Sequence, residues 1–537
     1  MKKIYLYLAA LALLFGSCEN NFDPQIYGSL LPGQFPTNEK EYESYMMTCY
    51  LPFTTVWTYD MSSAGLQHGW YIQSGGVVRM FDSTTDIEGE NNSSNDFGRL
   101  TRGDFSNAVY YWRGTVSDEN SPNHFPKTAQ ITRYTEIIDV LEKADIDKAK
   151  RDELVGEARL CRGIMMYFLM HNFGPVRVVL DPEKINDPET LSNISRPTLD
   201  EMCGWIKDDL EYAVEHVQET TSDRGRFTKD VARVFLMRHC LNEGEHMPGY
   251  YDRGLEMYRD LVSTGKYRLF RDGDNPYAEQ FLNKNKFNCE VIAAISCSEQ
   301  ADGGPMHGNM NAFMMWALPS DVAVSETFIR GGGWLQAFSI DKNFYSTFDS
   351  NDLRRKTIVT SYVANDGVTV TRNHFGSRWF GYIINKWPQE TNTTFQGQDI
   401  PVARWAEVLL NFAELDVRKK GTVTAEALAA VNEVRDRAGL PGLSGRAATV
   451  KDDFLEALLT ERAHELFFEG NRKIDLIRFN KYAQKFYENK SRIPTHQYMP
   501  LPNYAVEQAA ASGITLEQTY SREGWEEDVA KANPSGI

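Results

Sequence analysis

No apolar run in the 537-residue sequence reaches the roughly 20 residues that a membrane-spanning helix needs, which excludes a protein built on several such helices. Positive charge is also short: 57 Lys and Arg stand against 74 Asp and Glu, a formal net charge of −17. That balance argues against nucleic acid or an anionic membrane surface as the main partner, because both require clustered cations. Cysteine is sparse. Beyond Cys18 the chain holds Cys49, Cys161, Cys203, Cys240, Cys289 and Cys297, with no C-x-x-C or zinc-like spacing. Cys161, Cys203 and Cys240 fall in helical patterns and read as small core hydrophobes, while Cys289 and Cys297 flank the strand-like run Val291 to Ile295 and leave a disulfide open. The catalytic signatures H-E-x-x-H, G-x-S-x-G and the P-loop are missing. Gly265-Lys266 lacks its upstream glycine, and His464-Glu465 begins like a metalloprotease helix but meets Phe468 where the second histidine belongs. No metal, cofactor or catalytic residue is therefore assigned, although 74 carboxylates leave a glycosidase pair open.

The composition that remains is globular, with 42% hydrophobic and 24% charged residues, and long enough to bury a large core. The N-terminus places Lys2 and Lys3 before the short apolar run Ile4 to Phe15, then Gly16, Ser17 and Cys18, the layout of a cleaved export signal. LFGSC resembles the lipobox of bacterial lipoproteins, with Phe15 where Leu is usual, which implies lipidation of Cys18. A plain secretory signal is the other reading. Lipidation would hold the body at a membrane without inserting it.

Helical periodicity dominates the middle of the chain. Ile131, Tyr134, Ile137, Ile138 and Leu141 form one stripe, and Leu154, Ala158, Cys161, Met165 and Phe168 the next. Thr198 and Glu201 form a T-x-x-E capping box ahead of Leu199, Met202, Ile206 and Leu210. Further helices are expected after Thr228, over Tyr251 to Val262, and through Trp405, Leu428 and Leu455. Helix, turn, helix recurs without an exact 34-residue period, which predicts a mainly α fold: an irregular tetratricopeptide-like helical-repeat scaffold with long loops and a few short strands. Two irregular, Gly- and Asn-rich stretches, around 56–111 and 266–401, bracket the helical middle. The expected organisation is a signal peptide at 1–17, a lipidated cysteine and tether at 18–34, and a helical-repeat region at 35–265. A loop-rich ligand-side region follows at 266–400, and a C-terminal helical region at 401–537.

An ordered set of motifs resembles the SusD/RagB family of outer-membrane lipoproteins of Bacteroidota. Gly156-Glu157-Ala158-Arg159 with Arg162 and Asn172-Phe173-Gly174-Pro175 carries the first part. Gly225-Arg226-Phe227-Thr228 and Ser263-Thr264-Gly265-Lys266-Tyr267 carry the second. Arg404-Trp405-Ala406-Glu407-Val408-Leu409-Leu410, then Arg437-Ala438-Gly439-Leu440, then Glu461-Arg462, Glu465, Glu469-Gly470, Arg472 and Asp475 carry the third. The resemblance runs essentially from Cys18 to Pro502. It implies a cell-surface protein, lipid-anchored in the outer membrane, that captures oligosaccharide or polysaccharide and delivers it to a SusC-like TonB-dependent transporter without covalent chemistry. A RagB-like peptide binder and an exported helical glycoside hydrolase or lyase are the competing readings.

Two patterns connect residues to these roles. Glu461, Glu465 and Glu469 recur at i+4 and would repel one another unless Arg462, Arg472, Arg478 or a facing segment compensates, so a buried or half-buried charge lattice is expected between helices. Sugar capture needs flat apolar faces flanked by amides, carboxylates and guanidiniums. Trp334, just after Gly331-Gly332-Gly333, is the first choice, followed by Trp112 and Trp70. Tyr71, Trp57 and Trp316 complete the candidate set, with Gln67, Arg79, Asp82, Asn309 and Asn311 as polar neighbours. Trp205 and Trp405 read as core.

Overall fold

The computed structural model describes residues 35–56, 59–60, 66–67, 69–91, 96–105, 124–192, 195–299 and 308–533. The expected signal peptide, Cys18 and the tether lie outside the described residues, as do Trp57 and Trp112.

The longer elements follow in chain order. Helices α1 (Glu39–Met47), α2 (Lys127–Glu142), α3 (Lys148–Phe173), α4 (Leu199–His216), α5 (Lys229–Glu243) and α6 (Tyr250–Ser263) come first. Strand β1 (Val291–Ile295), helix α7 (Phe313–Ala317) and strand β2 (Ile400–Arg404) follow. Helices α8 (Trp405–Lys420), α9 (Ala425–Arg437), α10 (Lys451–Leu466), α11 (Arg472–Arg478) and α12 (Tyr482–Lys490) come next, and α13 (Asn503–Ala511) and α14 (Trp525–Ala532) follow them. Each of α2 to α6 packs on the next, and α6 passes the stack on to α8, which carries α9 and α10. This is the mainly α, helical-repeat arrangement that the periodicity predicts. Among the described residues no helix is long and apolar enough to cross a membrane.

Local chemistry sets the helix ends. The Thr198 hydroxyl accepts from the Glu201 amide while the Glu201 carboxylate accepts from the Thr198 amide, so the expected capping box starts α4. Asp147 caps α3 in the same sense, accepting from the Ala149 and Lys150 amides. The stripes read from the sequence become the core: Ile131, Tyr134, Leu154, Ala158, Cys161, Met165, Met202, Ile206 and Leu210 are all fully buried. Tyr258 of α6 stacks on Phe412 of α8 at 3.9 Å, which joins the two halves of the stack. The six described cysteines are unbonded thiols, including Cys289 and Cys297, so the disulfide left open by the sequence is not formed.

The loop-rich region is tied to this frame by short sheets. β1 pairs antiparallel with β2, from Val291 opposite Arg404 to Ile295 opposite Ile400. Two-residue ladders join Ile358–Val359 to Ile383–Ile384 and Tyr362–Val363 to Thr369–Val370.

A buried charge lattice forms the stronger tie. Glu465 of α10 accepts from Arg354, Arg404 and Arg437. Glu461 accepts from Arg354 at 2.6 Å and Arg435 at 2.8 Å, Glu469 from Arg404 and Lys386, and Glu290 from Arg404 at 2.8 Å and Arg437 at 3.0 Å. Asp352 completes the set against Arg354. Five cations thus face five carboxylates, and charge balance is what makes such burial tolerable. Burial alone would raise the Glu465 carboxyl, but Arg437, Arg404 and Arg354 overcome it and hold the group below the usual carboxylate range. The expected lattice exists, with different partners. Arg462 is taken by Asp475 and Asn411, Arg472 by Asp86, and Arg478 by Glu414 and Asp475, so the glutamate row is compensated mostly from the loop-rich segment and α9. On α8, Glu407, Asn411 and Glu414 each meet an arginine from a different helix, Arg238, Arg462 and Arg478.

Candidate functional site

The site is built around a close approach of backbones. The Gly331-Gly332-Gly333 run lies against the chain that leaves α7: a Cβ on Gly332 would sit 2.3 Å from the Ser320 carbonyl oxygen, and one on Gly333 2.6 Å from that of Leu318. Only glycine permits this contact. Arg330 donates to the Gly332 carbonyl at 2.9 Å and Gln389 to that of Gly331 at 3.2 Å, clamping the run from its other side. The Trp334 amide then donates to the Met315 carbonyl at 2.7 Å.

These bonds leave the Trp334 indole half-buried, edge-to-face with Trp316 at 4.9 Å and with Phe395 at 6.1 Å. Trp316 packs in turn on Phe97 at 5.6 Å and is only 8% exposed. Phe395 is fixed by its neighbour Gln396, whose side chain donates to the Thr391 and Thr393 carbonyls and whose backbone pairs with Asn311. Thr391, Asn392 and Thr393 precede the ring in the chain, and the Thr393 hydroxyl donates to the Phe395 carbonyl at 2.6 Å. The result is a rigid, partly exposed aromatic surface with polar edges. It can stack on a sugar's C–H face and bond its hydroxyls.

Of the six aromatic candidates, the structure places Trp334 and Trp316 together and separates two others. Trp70 is fully buried, stacked face-to-face on His124 at 3.8 Å and tilted against Phe168 at 5.1 Å, so neither face is open to a ligand. Tyr71 is 5% exposed and packs edge-on against Phe168. Both are core residues, because the chain around Gly69 and Gly76 folds inward onto α3 rather than outward. Trp316 serves as the buried support of Trp334. The polar neighbours are also structural. Asp82 accepts from the Gly470 and Arg472 amides, and burial pushes its carboxyl up to about 7. Arg79 is sandwiched between the Phe97 and Phe338 rings, Asn311 bonds Gln398, and Asn309 accepts from the Thr55 amide. The side chain of Gln67 lies outside the described residues. Trp405 is core as expected, whereas Trp205 is only partly buried, packed on the edge of the core.

Sequence reasoning missed Phe395. Its signal was present: one aromatic residue in the polar stretch Thr391-Asn392-Thr393-Thr394-Phe395-Gln396. The acid-rich motifs offer no exposed reactive pair. His464 is buried against Phe348 at 3.9 Å and Glu465 is engaged by three guanidiniums.

Two family models match the chain in succession. Residues 73–241 match one described as starch-binding associating with outer membrane, and residues 302–512 match the SusD family. Starch-binding protein SusD of Bacteroides thetaiotaomicron is 30% identical over 414 residues, covering 66% of this chain and 69% of that protein. Surface glycan-binding protein A from Bacteroides fluxus superposes with a TM-score of 0.70 at 20% identity, over 91% of this chain and 100% of that one. The Bacteroides thetaiotaomicron surface glycan-binding protein A in complex with laminarihexaose gives 0.68 at 18% identity, over 90% and 100%. With the motif order of the sequence, the helical stack of the structure and these matches in agreement, the chain belongs to the SusD family.

Proposed function

We propose that this protein is a cell-surface glycan-capture lipoprotein. Residues 1–17 direct export, Cys18 carries the lipid that anchors the body to the outer membrane, and residues 18–34 act as tether. The captured oligosaccharide passes to a SusC-like TonB-dependent transporter, and no bond of the glycan is broken. The observation that carries this reading is the half-buried Trp334 indole, held rigid by the triple glycine and by Trp316, beside Phe395. Rigid aromatics lose little entropy on binding and stack on sugar rings. Family membership supports the class of ligand, since relatives are described as binding starch and laminarihexaose.

The test is affinity electrophoresis in gels containing starch, laminarin and other polysaccharides, with the same mixtures assayed for released sugar. Retardation by one glycan, weakened roughly 5- to 30-fold by Trp334→Ala (about 1 to 2 kcal/mol), is the expected result. Sugar release would replace capture with hydrolysis. Retardation unaffected by Trp334→Ala would remove the site assignment.

A further inference from the structure

A cleft of about 430 Å³ that shares no residue with the surroundings of Trp334 opens where α5, α8 and α11 end. The start of α10 and the segment at Arg522 and Glu523 close it. Tyr251 forms one wall. Its ring lies on the end of α5, where a Cβ at Gly244 would sit 2.2 Å from it, so the glycine fixes the ring's position. Phe479 forms another wall and is covered by the Arg418 and Arg478 guanidiniums at 4.7 and 5.5 Å.

Charge in the lining is balanced: Arg418, Arg478, Lys481 and Arg522 stand against Glu245, Asp452, Glu456 and Glu523. Every cation is already engaged. Glu414 accepts from Arg418 and Arg478, Glu243 accepts from Arg522 at 2.8 Å, and Glu456 takes Lys481. An added anion would therefore compete with carboxylates already in place, and the polar lining disfavours an apolar ligand. Two features remain unspent. Arg522, whose side chain is 9% exposed, keeps a buried Nε without an acceptor among the described residues. Asn480 lines the cleft in a left-handed conformation at φ 51°, with the Gly524 backbone packed against its amide. Close-set donors and acceptors of zero net charge beside the Tyr251 ring, with the Phe479 ring already covered by guanidiniums, suit a neutral polyhydroxyl compound, and the volume suits about two sugar units.

We infer that this cleft is a second saccharide site, taking a neutral disaccharide-sized segment with Tyr251 as the stacking face. It deepens the glycan-capture reading and rests on it. The experiment is calorimetric titration of the full chain with maltose and laminaribiose in a Trp334→Ala background, which silences the loop face. Disaccharide binding should persist there and fall at least 10-fold when Tyr251→Ala is added. It should fall likewise with His246→Trp, which narrows the mouth from an exposed position and spares the packing. Loss of all disaccharide binding in Trp334→Ala alone, or affinity unchanged by both cleft variants, would overturn the proposal. If Trp334→Ala leaves polysaccharide retardation intact while the cleft variants abolish it, the cleft stands and the loop-face assignment falls.

Discussion

Lys473, the second residue of α11, is 1% exposed, and its ammonium has no acceptor among the described residues. It lies beside two rings, 4.9 Å from the Phe105 centroid and 5.3 Å from that of Tyr482. Burial alone pulls its pKa from 10.5 down to about 7. The unfolded chain therefore binds one more proton than the folded chain between about pH 7 and 10.5. Across that window the contribution of Lys473 to stability rises with pH, and below it the full cost of the buried charge is present. At about 1.36 kcal/mol per decade the cost is about 5 kcal/mol at pH 6, part of it returned by the rings. Lys473→Met keeps the length and the ring contacts and removes the charge, so it should stabilise the fold by about 3 to 5 kcal/mol at pH 6. The advantage should shrink to about 1 to 2 kcal/mol by pH 9. Urea unfolding of both proteins at pH 6, 7, 8 and 9 reads the difference directly. A variant that is less stable, or a gap that stays constant over this range, would refute the desolvation argument.

Glu465→Gln should cost about 3 to 5 kcal/mol in denaturant unfolding, because Arg354, Arg404 and Arg437 lose a shared charge; a loss under about 1 kcal/mol would mean the lattice is not cooperative. Glu414 is opposed by burial but held at about 2 by Arg478 and Arg418, so its stabilisation is present above about pH 4.5 and disappears as pH falls toward 2. Glu414→Gln should accordingly flatten the acid limb of the stability curve, and an unchanged limb counts against the pairing. Trp70→Ala should lower stability by about 3 to 5 kcal/mol with little direct effect on glycan binding, whereas Trp334→Ala should do the reverse; matched melting curves and affinity gels separate the two, and the opposite pattern would exchange their roles.

Much of the frame was legible because helical burial leaves a periodic trace. The stripes of α2, α3 and α4 and the Thr198 capping box appear in the structure where the spacing puts them. The i+4 glutamates likewise announced a lattice. Its partners were not readable, since Arg354, Lys386 and Arg404 reach α10 from segments that only the tertiary fold brings near. The aromatic candidates show the same limit. Trp70 and Trp334 both follow or precede glycine in polar surroundings, yet one fills the core and the other reaches the surface, because depth depends on what a loop packs against. Phe395 carried too little local contrast to stand out.

The lattice also decides which motions are open to the loop-rich stretch of the molecule. Glu290, Arg354 and Lys386 belong to the loop-rich stretch, and their counter-ions sit on β2, α9, α10 and the turn that follows α10. Swinging that stretch outward as a hinged lid would strand several ions at once in a dry interior, a step far beyond thermal reach. Movement of that stretch is therefore coupled to the helical frame, and the two shift together as one unit.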